Sequence, residues 1–369
     1  MKFKVGVIGA TGYIGEPYRS EIRESSDVAD IVALCARRQN LLDAAAQTDG
    51  ASFVTNNWRE IVDNEDVNLV IVATPDALHL EPMLACAEAG KHVLCEKPVG
   101  ANSQEAFKMW KAYEGRGLGH YVPFWTRYFP VFQKARELVK NGTVGDVKAV
   151  IYRWQNPRPA NMPFTWRDDA ELSSAGSIAD VGSHAYDTMR WILGQEATRV
   201  LTHAGVISDA KPDLGEINLD EALAFEGNNA DSTRKGTAPD FADIAFQFES
   251  GAIGSLVLSH ATFLRKGLAP ELEIHGTESS IAVDRIQSSI TIARQDGSIE
   301  LLESMPDEGL GNRFGKWVFP ALTAQIAGEN PGHPDLRDGW RVQLFTDAAA
   351  MSATTGTWVT ISELDPEAA

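Results

Sequence analysis

Along the first third of the chain, short apolar runs alternate with stretches in which apolar residues recur every three or four positions. Runs at residues 4–8, 31–35, 69–73, 92–95 and 119–123 read as buried strands, and stretches at 12–24, 41–47, 77–89 and 104–113 read as helices. In the last of these, Ala106, Met109, Trp110 and Tyr113 fall at i, i+3, i+4 and i+7, and Asn102 with Glu105 forms a capping box ahead of them. Continuous apolar strands alternating with helices predict a parallel sheet covered on both faces, a doubly wound α/β domain.

From residue 124 the pattern changes. A helix at 127–140 ends at Asn141-Gly142, and strands then dominate, at 146–155, 198–206, 241–248, 252–259, 271–275, 280–283, 289–293 and 298–302. Residues 243–248 alternate polar and apolar side chains, which suits an antiparallel sheet with one buried face. Helices are expected at 183–193, 315–326 and 336–351. The expected architecture is an N-terminal α/β domain, residues 1–123, followed by an α+β domain, residues 124–369, on an open and mainly antiparallel sheet. The polar stretch 207–239 shows little periodicity and reads as a surface excursion, with a contact to substrate or a neighbouring subunit as the alternative.

Length and composition agree with two globular domains: 369 residues, 44% hydrophobic and 23% charged. A formal charge of −18 argues against nucleic acid or an anionic membrane surface as a partner. No apolar run reaches the length of about 18 residues that a membrane span needs, and the N-terminus shows no signal-peptide core. Cys35, Cys86 and Cys95 are odd in number and lack zinc-finger spacing, so reduced thiols in a cytoplasm are expected.

The first strand runs into KVGVIGATGYIG, with Gly9, Gly12 and Gly15 spaced G-x-x-G-x-x-G. Glycines at this point let the backbone turn sharply and approach a pyrophosphate, whose charge then sits on the N–H groups opening the next helix. The second strand ends Cys35-Ala36-Arg37-Arg38, where an NAD site normally carries an acid for the ribose 2′-hydroxyl. Two guanidinium groups in its place suit a 2′-phosphate, so NADP is expected over NAD. Two other NADP-using classes fail on this sequence. No cysteine follows Cys95 to form a thioester, and none of the tyrosines has lysine four residues on.

Downstream stand Ala73-Thr74-Pro75 with His79, Ala89-Gly90-Lys91-His92-Val93 leading to Glu96-Lys97-Pro98, and Asp180-x-Gly182-x-His184-x-x-Asp187. In these elements, and in FADIAFQFESGAIGSL and LEIHGTESSI, the chain resembles the glucose–fructose oxidoreductase, inositol dehydrogenase and rhizopine-catabolism family (Gfo/Idh/MocA) over nearly its whole length. The resemblance implies a Rossmann domain that binds a nicotinamide dinucleotide and a second domain that binds a sugar, a polyol or a related cyclic alcohol. Homodimers or homotetramers through the C-terminal sheet are expected as well.

By the same resemblance Lys97 and His184 share the acid–base work and Asp180 orients the substrate. The residues expected at the cofactor are Gly9, Thr11, Gly12, Tyr13, Ile14, Ala36, Arg37, Arg38, Thr74, Pro75, His79, Glu96, Lys97 and Trp125. Those expected at the substrate are Lys97, Arg127, Tyr128, Trp154, Arg158, Trp166, Asp180 and His184, aromatic faces and guanidinium forks being suited to sugar rings and hydroxyls. Lys97, just past a parallel strand and partly desolvated beside a cationic ring, suits a base. No metal is expected, since Asp187 falls away from the face shared by Asp180 and His184 and hydride transfer needs none. The chain departs from the family in its glycine spacing and in Tyr18, where histidine is common. Two other readings share the fold: a glycosidase that oxidises its substrate transiently, and a sugar-sensing regulator without turnover.

Overall fold

The computed structural model describes residues 2–173, 175–215, 217–227, 232–302 and 309–368. Two compact units divide the chain: Met1–Pro123 with Glu216–Ala222 and Gly311–Arg341, and Phe124–Gly215 with Leu223–Leu310 and Val342–Ala369. The first unit thus takes two downstream segments besides residues 1–123.

The first unit is built as β1 (Phe3–Ile8), α1 (Gly15–Arg23), β2 (Ala29–Cys35), α2 (Gln39–Asp49), β3 (Phe53–Thr55), α3 (Trp58–Asp63), β4 (Leu69–Val72), α4 (Leu80–Glu88), β5 (His92–Cys95), α5 (Ser103–Tyr113) and β6 (His120–Tyr121). Its six strands lie in the order β3-β2-β1-β4-β5-β6, and every pair is parallel. β4 is buried at all four positions, as an inner strand covered on both faces must be. The stripe Ala106, Met109, Trp110 and Tyr113 is buried as its spacing implies. Asn102 accepts from the Glu105 N–H at 2.9 Å, but Glu105 returns its carboxylate to the N–H of Ala101 at 3.1 Å, one residue ahead of the expected box. β3 and α3 escape the periodicity because they are only three and six residues long.

Several boundaries differ from expectation for local reasons. The glycine turn occupies residues 9–14, so α1 starts at Gly15 rather than at 12. The expected helix at 127–140 is two pieces: a single turn, Trp125–Tyr128, and α6 (Pro130–Lys140). Phe129 between them is extended because a residue preceding proline is disfavoured in the α region.

The second unit continues with β7 (Val147–Gln155), α7 (Ser177–Leu193) and β8 (Ala197–Gly205). α7 begins six residues before the expected start, its first turn burying Ile178, Ala179 and Val181. In the polar stretch 207–239, residues 216 and 228–231 lie outside the described set. The rest forms β9 (Lys211–Pro212), α8 (Leu219–Leu223) and β10 (Thr233–Arg234), β9 pairing with β10. There follow β11 (Phe241–Phe248), β12 (Ile253–Ser259), β13 (Leu272–Gly276), β14 (Ser279–Asp284), β15 (Ser289–Arg294) and β16 (Ile299–Leu302), then α9 (Phe319–Ile326), which counts with the first unit, α10 (Leu336–Thr355), whose first six residues do, and β17 (Val359–Thr360).

The large sheet has the order β16-β15-β14-β13-β7-β12-β11-β8-β17 and is antiparallel except where β7 meets β12. Alternate residues of β11 and β14 are buried, the signature of one covered face. That cover includes Tyr186 of α7 stacked on Phe345 of α10 at 3.8 Å, with Phe246 of β11 edge-on to Phe345 at 5.3 Å. In the first unit the returning segment 311–341 packs in the same way, Trp340 stacking on Trp110 at 4.7 Å and Phe319 on Phe3 at 5.2 Å. Among the described residues no helix is long and apolar enough to cross a membrane.

Candidate active site

In the first unit the glycine turn leaves the C-terminal end of β1. Gly9 has φ +87°, and a Cβ there would stand 2.4 Å from the carbonyl oxygen of Ala73, a backbone atom that cannot yield. The turn is closed by Gly12 N–H donating to Gly9 O and by Gly15 N–H donating to Gly12 O, each at 3.0 Å. Beside it the hydroxyl of Thr74 is buried without a hydrogen-bond partner among the described residues. A tight glycine turn next to the N-terminus of α1, which no side chain caps, with a buried hydroxyl beside it, fits the phosphates of a dinucleotide. Thr11 and Ile14 are half-buried in this turn and Tyr13 is exposed.

His79, grouped with the cofactor residues from sequence, is fully buried with its ring against the backbone. Nε2 lies 2.8 Å from Thr74 O and Nδ1 lies 3.0 Å from Val99 O. It braces the Thr74–Pro75 loop from behind. Asn56, not foreseen, does the same for the end of β2, its amide donating to Ala36 O at 2.7 Å. Arg37 is exposed, and Arg38 is half-buried and paired with Glu221.

Lys97 follows β5, half-buried, and the Lys97–Pro98 peptide bond is cis. Its N–H donates to Glu96 Oε2 at 3.1 Å, and the hydroxyl of Tyr18, wholly buried, donates to Glu96 Oε1. Arg313 lies over the Tyr18 ring at 5.1 Å and donates to Glu21 at 2.8 Å, while Phe314 meets the same ring edge-on. The tyrosine that departs from the family pattern therefore holds the carboxylate that holds the backbone of Lys97. The thiols stand apart from any chemistry: all three are buried, and burial pushes Cys35 to about 11 and Cys86 to about 12.

In the second unit α7 brings Asp180 and His184 to one face, four residues apart. Gly182 between them allows α7 to approach the sheet, since a Cβ there would meet Leu258 Cδ1 at 2.8 Å. The His184 ring stacks on Trp154 at 5.6 Å and stands edge-on to Phe124 at 6.1 Å. Three nitrogens converge on Asp180 Oδ2: Arg158 Nη2 at 3.2 Å, His260 Nε2 at 3.3 Å and Arg167 Nε at 3.5 Å. Burial lowers the His260 pKa, and the two guanidinium groups add to the effect while Asp180 opposes it. Arg167 also covers the ring of Trp166 at 4.3 Å. His260 has no sequence signal, because it follows the end of β12 in a polar-to-apolar run typical of any strand end.

Arg127 and Trp125 are both buried. Arg127 is buried, and its fork is spent on Asp187, Nε on Oδ2 at 2.7 Å and Nη2 on Oδ1 at 2.5 Å. It works as an internal clamp, where the sequence reading placed it on the substrate. Trp125, grouped with the cofactor residues from sequence, is likewise buried, beside Tyr128 at 6.3 Å. Among the described residues no group of three His, Cys, Asp or Glu side chains has metal-binding geometry.

Residues 3–123 match the model of an oxidoreductase family with an NAD-binding Rossmann fold, and residues 132–282 match the GFO/IDH/MocA C-terminal domain. The chain is 28% identical to levoglucosan dehydrogenase of Pseudarthrobacter phenanthrenivorans over 346 residues, 87% of this chain and 86% of that protein. It is 26% identical to myo-inositol 2-dehydrogenase of Thermotoga maritima over 289 residues, 78% of this chain and 77% of that protein. An oxidoreductase domain protein from Kribbella flavida superposes with a TM-score of 0.84 at 26% identity, over 98% of this chain and 99% of that one.

Proposed function

This chain belongs to the Gfo/Idh/MocA family of NAD-binding oxidoreductases, and from that premise we propose that it transfers a hydride between a nicotinamide dinucleotide and a hydroxyl-bearing carbon of a sugar, polyol or related cyclic alcohol. The observation that carries the reading is the convergence in each unit of the side chains the reaction needs. The first unit has a tight glycine turn and an anchored Lys97, and the second has Asp180 and His184 on one helix face. The bound nicotinamide ring supplies the hydride acceptor or donor. Lys97 takes the hydroxyl proton as the carbinol is oxidised, or returns it in the opposite direction. His184, held flat by Trp154, donates to the developing alkoxide or relays its proton. Asp180 accepts from substrate hydroxyls through the lone pairs its nitrogens leave over, and Arg158, Tyr128, Trp154 and Trp166 line the sugar. Neither the glycosidase nor the silent regulator finds support among relatives that are sugar and polyol dehydrogenases.

A panel of anhydrosugars, aldoses and inositols, assayed with NAD and NADP by nicotinamide absorbance, tests the reading. Turnover of at least one member with net cofactor reduction is expected. Bond cleavage without net redox change would move the chain to the glycosidase class.

NADP is the preferred form in this reading, Arg37 and Arg38 supplying charge for a 2′-phosphate. Replacing Arg37 by alanine is expected to weaken NADP about tenfold and NAD no more than about threefold, as read by calorimetric titration. Equal losses would mean that the arginine does not read the phosphate. The outer face of the large sheet, with Ile253 and Ile299 exposed, is the surface through which copies of the chain associate, in a cytoplasmic enzyme.

A further inference from the structure

The end of β2 lacks a carboxylate of its own, yet one is delivered there from the polar stretch far downstream. Arg38 Nη1 donates to Glu221 Oε1 at 2.9 Å and to Oε2 at 3.3 Å. Glu221 Oε2 also accepts from the N–H of Asn218 at 2.9 Å, and the Asn218 side chain donates to the carbonyl oxygen of Thr11 at 3.3 Å. The segment is thus tied at one end to the glycine turn and at the other to the residue pair that follows the second strand. Both anchors lie within the first unit.

We infer that Glu221 is a specificity-determining residue for the cofactor, standing in for the acid that dinucleotide sites usually carry at the end of the second strand. The inference rests on the reading above that the glycine turn holds a nicotinamide dinucleotide. A ribose 2′-hydroxyl donates to this carboxylate. A 2′-phosphate brings like charge to it, and reaches Arg38 only by sharing or displacing the ion pair. Arg38 Nη2 is buried and has no partner among the described residues, so one donor of the fork remains for a ribose or phosphate oxygen. The Asn218 N–H and Arg38 lower the Glu221 pKa, which keeps the group ionised across the neutral range. Glu221 therefore restrains the preference for NADP that the two arginines would otherwise impose. Because Arg38 and Glu221 are both partly exposed, the effect is modest and weakens with salt.

Calorimetric titration of NAD and NADP into the full-length protein, its Glu221→Gln, Arg38→Ala and doubly substituted forms, at low and high salt, tests this. Glu221→Gln is expected to tighten NADP about fivefold and to leave NAD unchanged or weaker by up to about threefold, with the gain lost in the double variant and reduced at high salt. A ratio of NADP to NAD affinities that stays within about twofold of the unsubstituted protein overturns the role of Glu221 while leaving the dinucleotide reading intact. Failure of the unsubstituted protein to bind either nucleotide overturns both.

Discussion

Lys97→Ala lowers the rate of hydride transfer by about 10²–10⁴-fold while the affinities for NAD and NADP change by no more than about threefold. The expectation follows from where the residue is anchored. Its backbone is pinned by Glu96, and Glu96 is held by the buried Tyr18 hydroxyl, so truncating the lysine side chain beyond Cβ leaves the strand end and the glycine turn in place. Single-turnover mixing separates the chemical step from binding. Lys97→Arg keeps the charge but cannot give up its proton, and it is expected to stay as slow as the alanine variant. Full activity in Lys97→Ala sinks the base assignment; rescue by arginine would mean that the lysine serves by charge alone.

The second large effect is on stability. Arg127→Ala takes the bidentate partner from the wholly buried Asp187 carboxylate and leaves Arg190, 3.6 Å away and shared with Glu196, beside it. Breaking a buried pair from one side costs about 3–5 kcal/mol, whereas replacing both partners with apolar residues restores much of the loss. The urea midpoint of the second unit, followed by intrinsic fluorescence, is expected to fall for Arg127→Ala and for Asp187→Ala and to recover in part for Arg127→Met with Asp187→Leu. If Arg127 instead touches the substrate, Arg127→Ala raises KM while the midpoint holds.

These two expectations draw on different kinds of legibility. Lys97 stands in a short motif, and its environment is made largely by sequence neighbours and by Tyr18 on the first helix. The clamp between Arg127 and Asp187 joins residues 60 positions apart, and nothing local in either stretch distinguishes a guanidinium that faces a ligand from one that faces a carboxylate. Tyr18 shows a middle case. Its departure from the family pattern was visible in the sequence, but its bond to Glu96 required the fold.

Periodicity determined most of the architecture. Parallel strands, alternating helices and the eight long strands of the second unit could be read from the chain because burial repeats every two or every three to four residues within a single element. The glycine turn was legible for the same local reason, whereas the first turn of α7, which carries Asp180, was not. Tertiary structure alone decided which charges meet: Glu221 reaches Arg38 across 183 residues from a segment without periodicity, and His260 and Arg167 join Arg158 on one oxygen of Asp180. Ion pairs and hydrogen bonds depend on where side chains end in space, and the spacing of residues along a chain carries no record of that once several elements have packed together.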